Sequence, residues 1–381
     1  GTTWFDDIEV YDRKAEAAVV DTPEFTRLSA EELRPEFNWE AWDAAMTKAM
    51  RTYHFNSFCV PVPGLTTGTC FGSSPANLLG YKEDDPEYWA GFQASTQDLE
   101  SHMRERGWLE YAYAYWFDEP NPSDYATVMR DCRKLEKYAP GIDRFLTEQV
   151  EPELIGGPDI WCSVPCYYYH EETTAARERG DELWWYLCTA PITPYPTLFI
   201  DHPATELRVF LWQAWQHQIR GMKVWNVNYW TSDREYPESG RPQNPYEDPM
   251  SWTPIYAADQ QKRPNFGNGD GRFLYPATRE PNADNPPNLH GPVSSIRWEM
   301  LREGIEDYEY FYRLRELVDR AKEKEGFNRI AVRRAEILLT VPPAIVADKT
   351  DFTRDPQPMY DHRERVADAI EELARMLRAE N

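Results

Sequence analysis

The regular alternation of short apolar runs with segments of helical periodicity is the feature that most constrains how this chain folds. Parallel strands require such crossover segments, and this many repeats favour closure into a barrel over an open doubly wound sheet. The sequence therefore predicts the α/β class and a TIM-like (β/α)8 barrel, complete or incomplete. The predicted strands are HFNSFCVPV at 54–62, WLEYAYAYWF at 108–117, RFLTEQ at 144–149, DIWCSVPC at 159–166, ELWWYLCT at 182–189 and MKVWNVNYW at 222–230.

Capping residues mark several of the intervening helices. Asn38 and Ser123 can each accept a hydrogen bond at a helix start, and Gly107 can end a helix in the left-handed conformation. Another helix is predicted from Thr205 to Gly221, and a Gly/Thr/Ser-rich loop is expected after the first strand, to about residue 77. Two late helices carry apolar stripes, formed by Trp298, Leu301, Ile305, Tyr308 and Tyr312 and by Val366, Ile370, Leu373 and Leu377.

Three regions are expected along the chain. Residues 1–25 begin with GTTWFDDIEVYDRK, which alternates like a strand and resembles the last strand of jelly-roll carbohydrate-binding modules. This region is predicted to be a remnant β-sandwich strand or a linker, and a further domain is expected upstream of it. Residues 26–325 are predicted to form the barrel, and residues 326–381 to form helices packed on its exterior.

Two adjacent acids, Asp118 and Glu119, come directly after the strand at 108–117 and before Pro120. Active sites of parallel barrels lie at the carboxyl ends of the strands, so both side chains are expected at the barrel mouth. A short Asp-Glu-Pro segment can also serve only as a turn or a helix cap. The position at a strand end makes these two residues the candidate catalytic pair.

A carboxyl pair in unequal environments can provide the proton and the charge stabilisation that cleavage of a glycosidic bond requires. An ionised Asp118 would favour the protonated form of Glu119, which would then act as the acid. Neighbours on one strand end do not flank a sugar at the roughly 5 Å or roughly 6.5–9.5 Å separations of two-carboxylate mechanisms. Their adjacency instead favours substrate assistance, in which the sugar's 2-acetamido oxygen attacks the anomeric carbon.

Charge and motif content exclude several partners. With 41 Lys and Arg against 65 Asp and Glu, the net charge of -24 repels nucleic acid and anionic membrane surfaces. No apolar run approaches the roughly 20 residues of a membrane-spanning helix, so a soluble chain, cytoplasmic or exported, is expected.

No nucleotide-binding glycine motif follows a strand, and the seven His lack zinc-ligand spacing, so neither a cofactor nor a metal is expected. The six Cys are expected to be free thiols, and the oligomeric state stays open.

Aromatic residues are abundant, with 15 Trp, 23 Tyr and 16 Phe. Their amphipathic rings match the apolar faces and hydroxyl rims of sugars, although most are expected to be core residues. A Tyr hydroxyl could position the acetamido group, but the sequence favours no single Tyr. The candidate substrate-binding residues, chosen within or at the ends of predicted strands and in a GDG turn, are Trp116, Tyr167, Trp185, Trp225, Asn228, Trp230 and Asp270.

The stretch from 231 to 292 is rich in Pro, Asn, Asp and Gly and carries scattered aromatic residues. Its length and its aromatic content favour an ordered lid over a routine connection. Arg272, within this stretch, and Arg297, Glu299 and Glu303, in the helix that follows, are expected to form a structural network of ion pairs and hydrogen bonds.

Two segments resemble glycoside hydrolase family 123, the β-N-acetylgalactosaminidases, and the larger set of domains that share their C-terminal signature. One is YAYWFDEPNPSDY, in which the family's catalytic Asp-Glu pair corresponds to Asp118 and Glu119. The other is GDGRFLYP at 269–276 with GPVSSIRWEMLREGIEDYEYFYRL at 291–314. The resemblance runs from about residue 50 to 320. It implies a (β/α)8 barrel behind a β-sandwich, exo-hydrolysis of terminal β-linked N-acetylgalactosamine, an acetamido-assisted retaining mechanism and no metal.

Two alternatives to this function stay open at the level of sequence. One is a glycosidase acting on a different sugar, in which Asp118 or Glu119 is paired with a distant carboxylate such as Asp233 or Asp270. The other is a non-catalytic carbohydrate-binding barrel, for which the aromatic residues suffice. In each case the expected partner is a glycan or glycoconjugate.

Overall fold

A computed structural model of the protein describes residues 37–230, 244–249, 268–278 and 291–379. The described residues form two compact units, one of those up to Trp161 with Tyr169–Glu182 and one of Cys162–Tyr168 with those from Leu183 onward. The predicted N-terminal sandwich strand and most of the predicted lid lie outside the described residues. The bounds of the three regions expected from sequence stay predictions.

The first unit contains strands that alternate with helices. β1, β4, β6 and β7 pair in parallel, each with the next, in registers such as Cys59↔Tyr113 and Leu146↔Trp161. The predicted alternation is therefore confirmed in this unit. Its elements are α1 (Trp39–Thr52), β1 (Phe58–Val60), β2 (Thr67–Thr69), β3 (Gly72–Ser74), α2 (Pro86–Arg106), β4 (Ala112–Ala114), β5 (Phe117–Asp118), α3 (Tyr125–Tyr138), β6 (Asp143–Leu146), the first half of β7 (Ile160–Ser163) and α4 (His170–Arg179), a helix that was not predicted.

Two of the three predicted caps are confirmed. The Asn38 side chain accepts from the backbone N–H of Ala41 at the start of α1, and Gly107 ends α2 in the left-handed conformation. The predicted Ser123 cap is wrong. Asn121 and Asp124 instead form a capping box around a short 3₁₀ turn, because their side chains satisfy each other's backbone N–H groups before α3 begins.

The predicted strand at 108–117 is not one strand. A 3₁₀ turn at Leu109–Tyr111 precedes β4, and β5 leaves the sheet of β4 to pair in parallel with β2. The predicted loop after β1 is in fact the antiparallel hairpin of β2 and β3. A Cβ at Gly68 would lie 2.4 Å from the Phe117 ring, so this pairing requires glycine in β2.

The second unit contains two further parallel strands and a set of packed helices. These strands, β8 (Glu182–Leu187) and β9 (Gly221–Val224), pair with each other in a register that begins at Trp184↔Gly221. Together with those of the first unit, these strands confirm a mixed α/β fold, while a closed eight-stranded barrel is not seen within the described ranges. The elements are β8 (Glu182–Leu187, from Leu183 on), α5 (Thr205–Gln216), β9 (Gly221–Val224), β10 (Leu274–Tyr275), β11 (Val293–Ser294), α6 (Ile296–Glu323), α7 (Arg329–Leu338) and α8 (Gln357–Ala379).

The apolar stripe predicted for α6 is only partly buried. Leu301 is 3 % exposed, but Ile305 and Tyr312 are 45 % and 47 % exposed. The buried face instead runs through Gly304 and Phe311. Glycine at position 304 allows α6 to approach α5 closely, since a Cβ there would lie 3.0 Å from the carbonyl oxygen of Arg208. In α8 the predicted stripe is confirmed. Val366, Leu373 and Leu377 are buried, and Ile370 packs against the hydrophobic core that they help to form.

A buried ion pair joins α5 to α6. The Arg208 guanidinium donates to both carboxylate oxygens of Asp307, at 2.6 and 3.0 Å, and both side chains are at most 1 % exposed. Trp212 Nε1 donates to the same carboxylate at 2.8 Å, and Arg363 donates to it from α8 at 3.1 Å. Asp307 therefore ties three helices together through one buried negative charge.

None of the described helices combines the length and the apolar character that a membrane-spanning helix requires.

Replacing Asp307 by Ala should lower the free energy of unfolding by about 3–5 kcal/mol, because Arg208 would keep a buried charge without its counter-charge. Urea denaturation followed by circular dichroism measures the change. Asp319→Ala on the exposed end of α6 is the matched control and should change stability by no more than about 0.5 kcal/mol. Equal losses in the two variants would contradict this role for Asp307.

Candidate active site

The adjacent acids Asp118 and Glu119 lie at the end of β5 in the first unit. Both side chains are partly exposed, so neither is enclosed in the core nor fully surrounded by solvent. Glu119 has a φ of 47°, in the left-handed region that non-glycine residues seldom occupy. The backbone therefore turns sharply at Glu119, and a turn of this kind at a strand end is often found at functional sites.

The hydroxyl group of Thr147 contacts both acids. Its Oγ1 donates to Oδ1 of Asp118 at 2.8 Å and accepts from the backbone N–H of Glu119, also at 2.8 Å. Thr147 is 2 % exposed and comes directly after β6. Since a buried hydroxyl has one donor and two acceptor positions, this single group fixes the Asp118 side chain and the unusual Glu119 backbone together.

Asp118 accepts a second hydrogen bond at the same oxygen, Oδ1, from the phenol of Tyr115. Tyr115 also lies 3.2 Å from Thr147 Oγ1, so three groups form one small network. Within the described part of the chain, Oδ2 of Asp118 accepts no hydrogen bond. One oxygen of this carboxylate is thus anchored, and the other is available to a ligand donor.

Glu119 is contacted by a thiol from the β2–β3 hairpin. Cys70 Sγ lies 3.7 Å from Oε2 of Glu119, a normal distance for a sulfur donor. Burial raises the pKa of Cys70 to about 11, and the negative charges of Glu119 and then Asp118 add to the effect. The thiol therefore stays protonated at neutral pH and can donate.

A third carboxyl group, Glu148, follows Thr147 at the end of β6. Burial raises its pKa to about 7, with further contributions from the charges of Glu151 and Glu119, against the lowering effect of hydrogen bonds from the Gln149 N–H and the Tyr125 hydroxyl. A carboxyl group that titrates near neutrality beside other acids is typical of active sites.

The network can support acid–base chemistry on a bound ligand. Asp118 presents one carboxylate oxygen that has no hydrogen bond to any described residue, Glu119 presents a carboxyl group held by a thiol, and Glu148 adds a group that changes protonation near pH 7. Among the described residues no cluster of His, Cys, Asp or Glu has the arrangement of a metal site.

The candidate aromatic residues have differing environments. Trp116, beside Asp118 in the first unit, is 9 % exposed, and its Nε1–H has no partner among the described residues. In the second unit Tyr167 is 52 % exposed, whereas Trp185 is completely buried against Phe210, Tyr168 and His217. This burial makes Trp185 a core residue of its unit.

The remaining candidates cluster around the GDGR segment of the second unit. Trp225 Nε1 donates to Asp270 Oδ1 at 2.8 Å, and Trp230 Nε1 donates to the carbonyl oxygen of Leu274 at 2.8 Å. Asn228, which is exposed, forms a β-bridge with Arg272. Asp270 is 2 % exposed, and burial raises its pKa to about 6.

Arg272 and Arg297 are buried and donate to backbone carbonyl groups, as expected of a structural network. Arg297 bonds the carbonyl oxygens of Leu198 and Gly269 at 2.7 and 2.8 Å. Glu299 and Glu303 instead pair with Arg302 on the more open side of α6. The sequence hypothesis that paired an acid with Asp233 concerns a residue outside the described ranges.

Sequence reasoning missed four residues of this network: Cys70, Tyr115, Thr147 and Glu148. A signal existed for two of them, since RFLTEQ was a predicted parallel strand and Thr147-Glu148 form its carboxyl end, where barrel active sites lie. Cys70 gave no such signal, because its segment resembled a loop and its contact depends on the pairing of β2 with β5.

Comparison with known proteins identifies one family. The family model for the catalytic domain of glycoside hydrolase 123 matches residues 46–314. No curated protein matches the sequence. Among solved structures, a family 123 glycoside hydrolase from Clostridium perfringens, described for its hydrolysis of glycolipid glycans, is 17 % identical, with a TM-score of 0.47. The alignment covers 78 % of this chain and 47 % of that protein, so this chain matches about half of that enzyme's length.

Glu148 should give stability a distinct pH dependence. Its pKa is raised from 4.5 to about 7 by folding, so its contribution to stability is fully present below about pH 4.5 and is lost as pH rises through 7. Glu148→Gln removes this loss, so the variant should gain stability relative to the parent between about pH 5 and pH 8. Urea midpoints measured across this range test it, with Glu136→Gln on the exposed side of α3 as control. A pH-independent difference for Glu148→Gln would refute the raised pKa.

Proposed function

The chain belongs to glycoside hydrolase family 123 and is therefore a glycoside hydrolase; from this premise we propose that it releases terminal β-linked N-acetylgalactosamine by a substrate-assisted retaining mechanism. The observation that carries the proposal is the arrangement of Asp118. Two hydroxyl groups anchor Oδ1, while Oδ2 accepts no hydrogen bond within the described residues. A carboxylate oxygen oriented in this way can accept a hydrogen bond from the N–H of a 2-acetamido group.

The first chemical step breaks the glycosidic bond. The acetamido oxygen attacks the anomeric carbon and forms a cyclic oxazoline-type intermediate, while the leaving oxygen takes the proton of Glu119. Asp118 accepts a hydrogen bond from the acetamido N–H and stabilises the positive charge that develops on the ring. The aglycone then departs with its oxygen protonated.

The second step returns the enzyme to its starting state. The Glu119 carboxylate takes a proton from water, and the water oxygen attacks the anomeric carbon from the face that the aglycone left. The bond to the acetamido oxygen breaks, which regenerates the acetamido group and gives the sugar with retained configuration. One carboxyl group thus acts as acid and then as base.

A second candidate is a glycosidase acting on a sugar without an acetamido group, and Glu148 is the observation that favours it. This carboxyl group lies just after β6, the strand that pairs with β4, and the charge of Glu119 contributes to its raised pKa. Of the two acids considered from sequence for this role, Asp270 is buried and accepts a hydrogen bond from Trp225, and Asp233 lies outside the described residues.

Glu119→Gln should lower kcat/KM for an aryl β-N-acetylgalactosaminide by about 10²–10⁴, because the variant has no proton to donate to the leaving oxygen. The loss should be larger for poorly acidic leaving groups than for p-nitrophenol. Glu136→Gln is the matched control. Activity of Glu119→Gln within tenfold of the parent on both leaving groups would remove Glu119 from the acid role.

The same assay separates the two candidate functions. Substrate assistance requires the acetamido group, so the aryl β-galactoside should be a far poorer substrate than the aryl β-N-acetylgalactosaminide, and a thiazoline mimic of the cyclic intermediate should inhibit. Comparable hydrolysis of both sugars would favour the second candidate. A glycan panel that includes glycolipid glycans then identifies the natural linkage.

Thr147→Val should lower kcat by roughly 10²-fold, since a displacement of about 1 Å at the reacting groups has effects of that order. The valine is similar in size but can neither donate to Asp118 nor accept from the Glu119 N–H. Thr147→Ser keeps the hydroxyl and should stay within a few-fold of the parent. Equal kcat values for the valine and serine variants would show that the hydroxyl does not organise the pair.

A further inference from the structure

The β2–β3 hairpin brings a cysteine against the proposed acid. Thr69 is in register with Asp118 in the parallel pairing of β2 with β5, so the next residue, Cys70, lies beside Glu119. Asn121 Nδ2 donates to the Cys70 carbonyl oxygen at 3.1 Å, which ties the hairpin to the residues that follow the acid pair. The thiol is therefore placed by two independent backbone contacts.

We propose that Cys70 is a positioning residue whose thiol donates a hydrogen bond to Oε2 of Glu119 and holds that carboxyl group in its working orientation. The inference rests on the proposed role of Glu119 and adds a residue to it. The Sγ to Oε2 distance of 3.7 Å supports the contact. Cys70 acts through Glu119 and has no chemical step of its own.

Electrostatics explain why a thiol suits this place. Burial, the charge of Glu119 and the charge of Asp118, in this order, raise the pKa of Cys70 to about 11. The thiol thus keeps its proton throughout the neutral range, in which a thiolate would repel the carboxylate. It is also a poor nucleophile there, because the thiolate is the reactive form.

The first test needs no substrate. Alkylation of Cys70 by iodoacetamide, followed by peptide mass spectrometry in the full-length protein, reports its ionisation. Glu119→Gln and Asp118→Asn each remove a charge that opposes the thiolate, so alkylation of Cys70 at about pH 8 should become several-fold faster in both variants. Cys166 in the second unit is the internal control and should not change.

An unchanged alkylation rate of Cys70 in both variants would overturn the contact between the thiol and the acid pair. This readout is independent of the sugar, so it can succeed even if the proposed N-acetylgalactosaminidase activity fails. Conversely, activity on that sugar with unaltered Cys70 alkylation would reject only the role of the thiol.

The second test uses kinetics on the substrate identified above. Cys70→Ala should lower kcat roughly 2- to 10-fold, the range expected for one hydrogen bond, with little change in KM. The basic limb of the pH–rate profile should move to higher pH, because the ionised Glu119 carboxylate loses a donor. Cys70→Ser restores a donor and should recover most of both effects. Identical profiles for the alanine and serine variants would indicate that the side chain only fills space.

Discussion

The hydroxyl group of Thr147 is the constraint on which the candidate site depends. It donates to Asp118 and accepts from the backbone N–H of Glu119, so one buried atom fixes a side chain and a backbone turn at the same time. Two adjacent carboxylates would otherwise repel each other and rotate independently. Because this hydroxyl comes from the residue after β6, the geometry of the pair depends on a tertiary contact with another strand and not on the Asp-Glu sequence itself.

The separation of β5 from β4 gives the pair its second support. Had residues 108–117 continued as one strand, Glu119 would have followed the sheet. Instead β5 pairs with β2, and the close approach of the Phe117 ring to Gly68 allows this pairing. The hairpin then presents Cys70 to Glu119, whose left-handed backbone turns it away from the strand. A local departure from regular sheet geometry thus produces the arrangement on which the proposed chemistry depends.

The second unit shows how buried charge can serve architecture. Arg297 and Arg272 direct their guanidinium groups to backbone carbonyl oxygens, and Arg208 and Asp307 neutralise each other between α5 and α6. Such groups would be costly if unpaired, so each fixes the segments that supply its partners. The bonds made by Arg272 and Arg297 hold the glycine-rich GDGR segment, which gives this part of the family signature a structural role in the described residues.

The sequence by itself determined the α/β class, most helices and strands, and the position of Asp118 and Glu119 at a strand end, because periodicity and capping are local properties of the chain. It also carried the family signature. It could not show the β2–β3 hairpin, the break between β4 and β5, or the buried face of α6, since these depend on close approaches at Gly68 and Gly304. Only the tertiary structure brought Thr147 and Cys70 to the acids, because hydrogen bonds between residues 28 and 49 positions apart leave no periodic trace in the sequence.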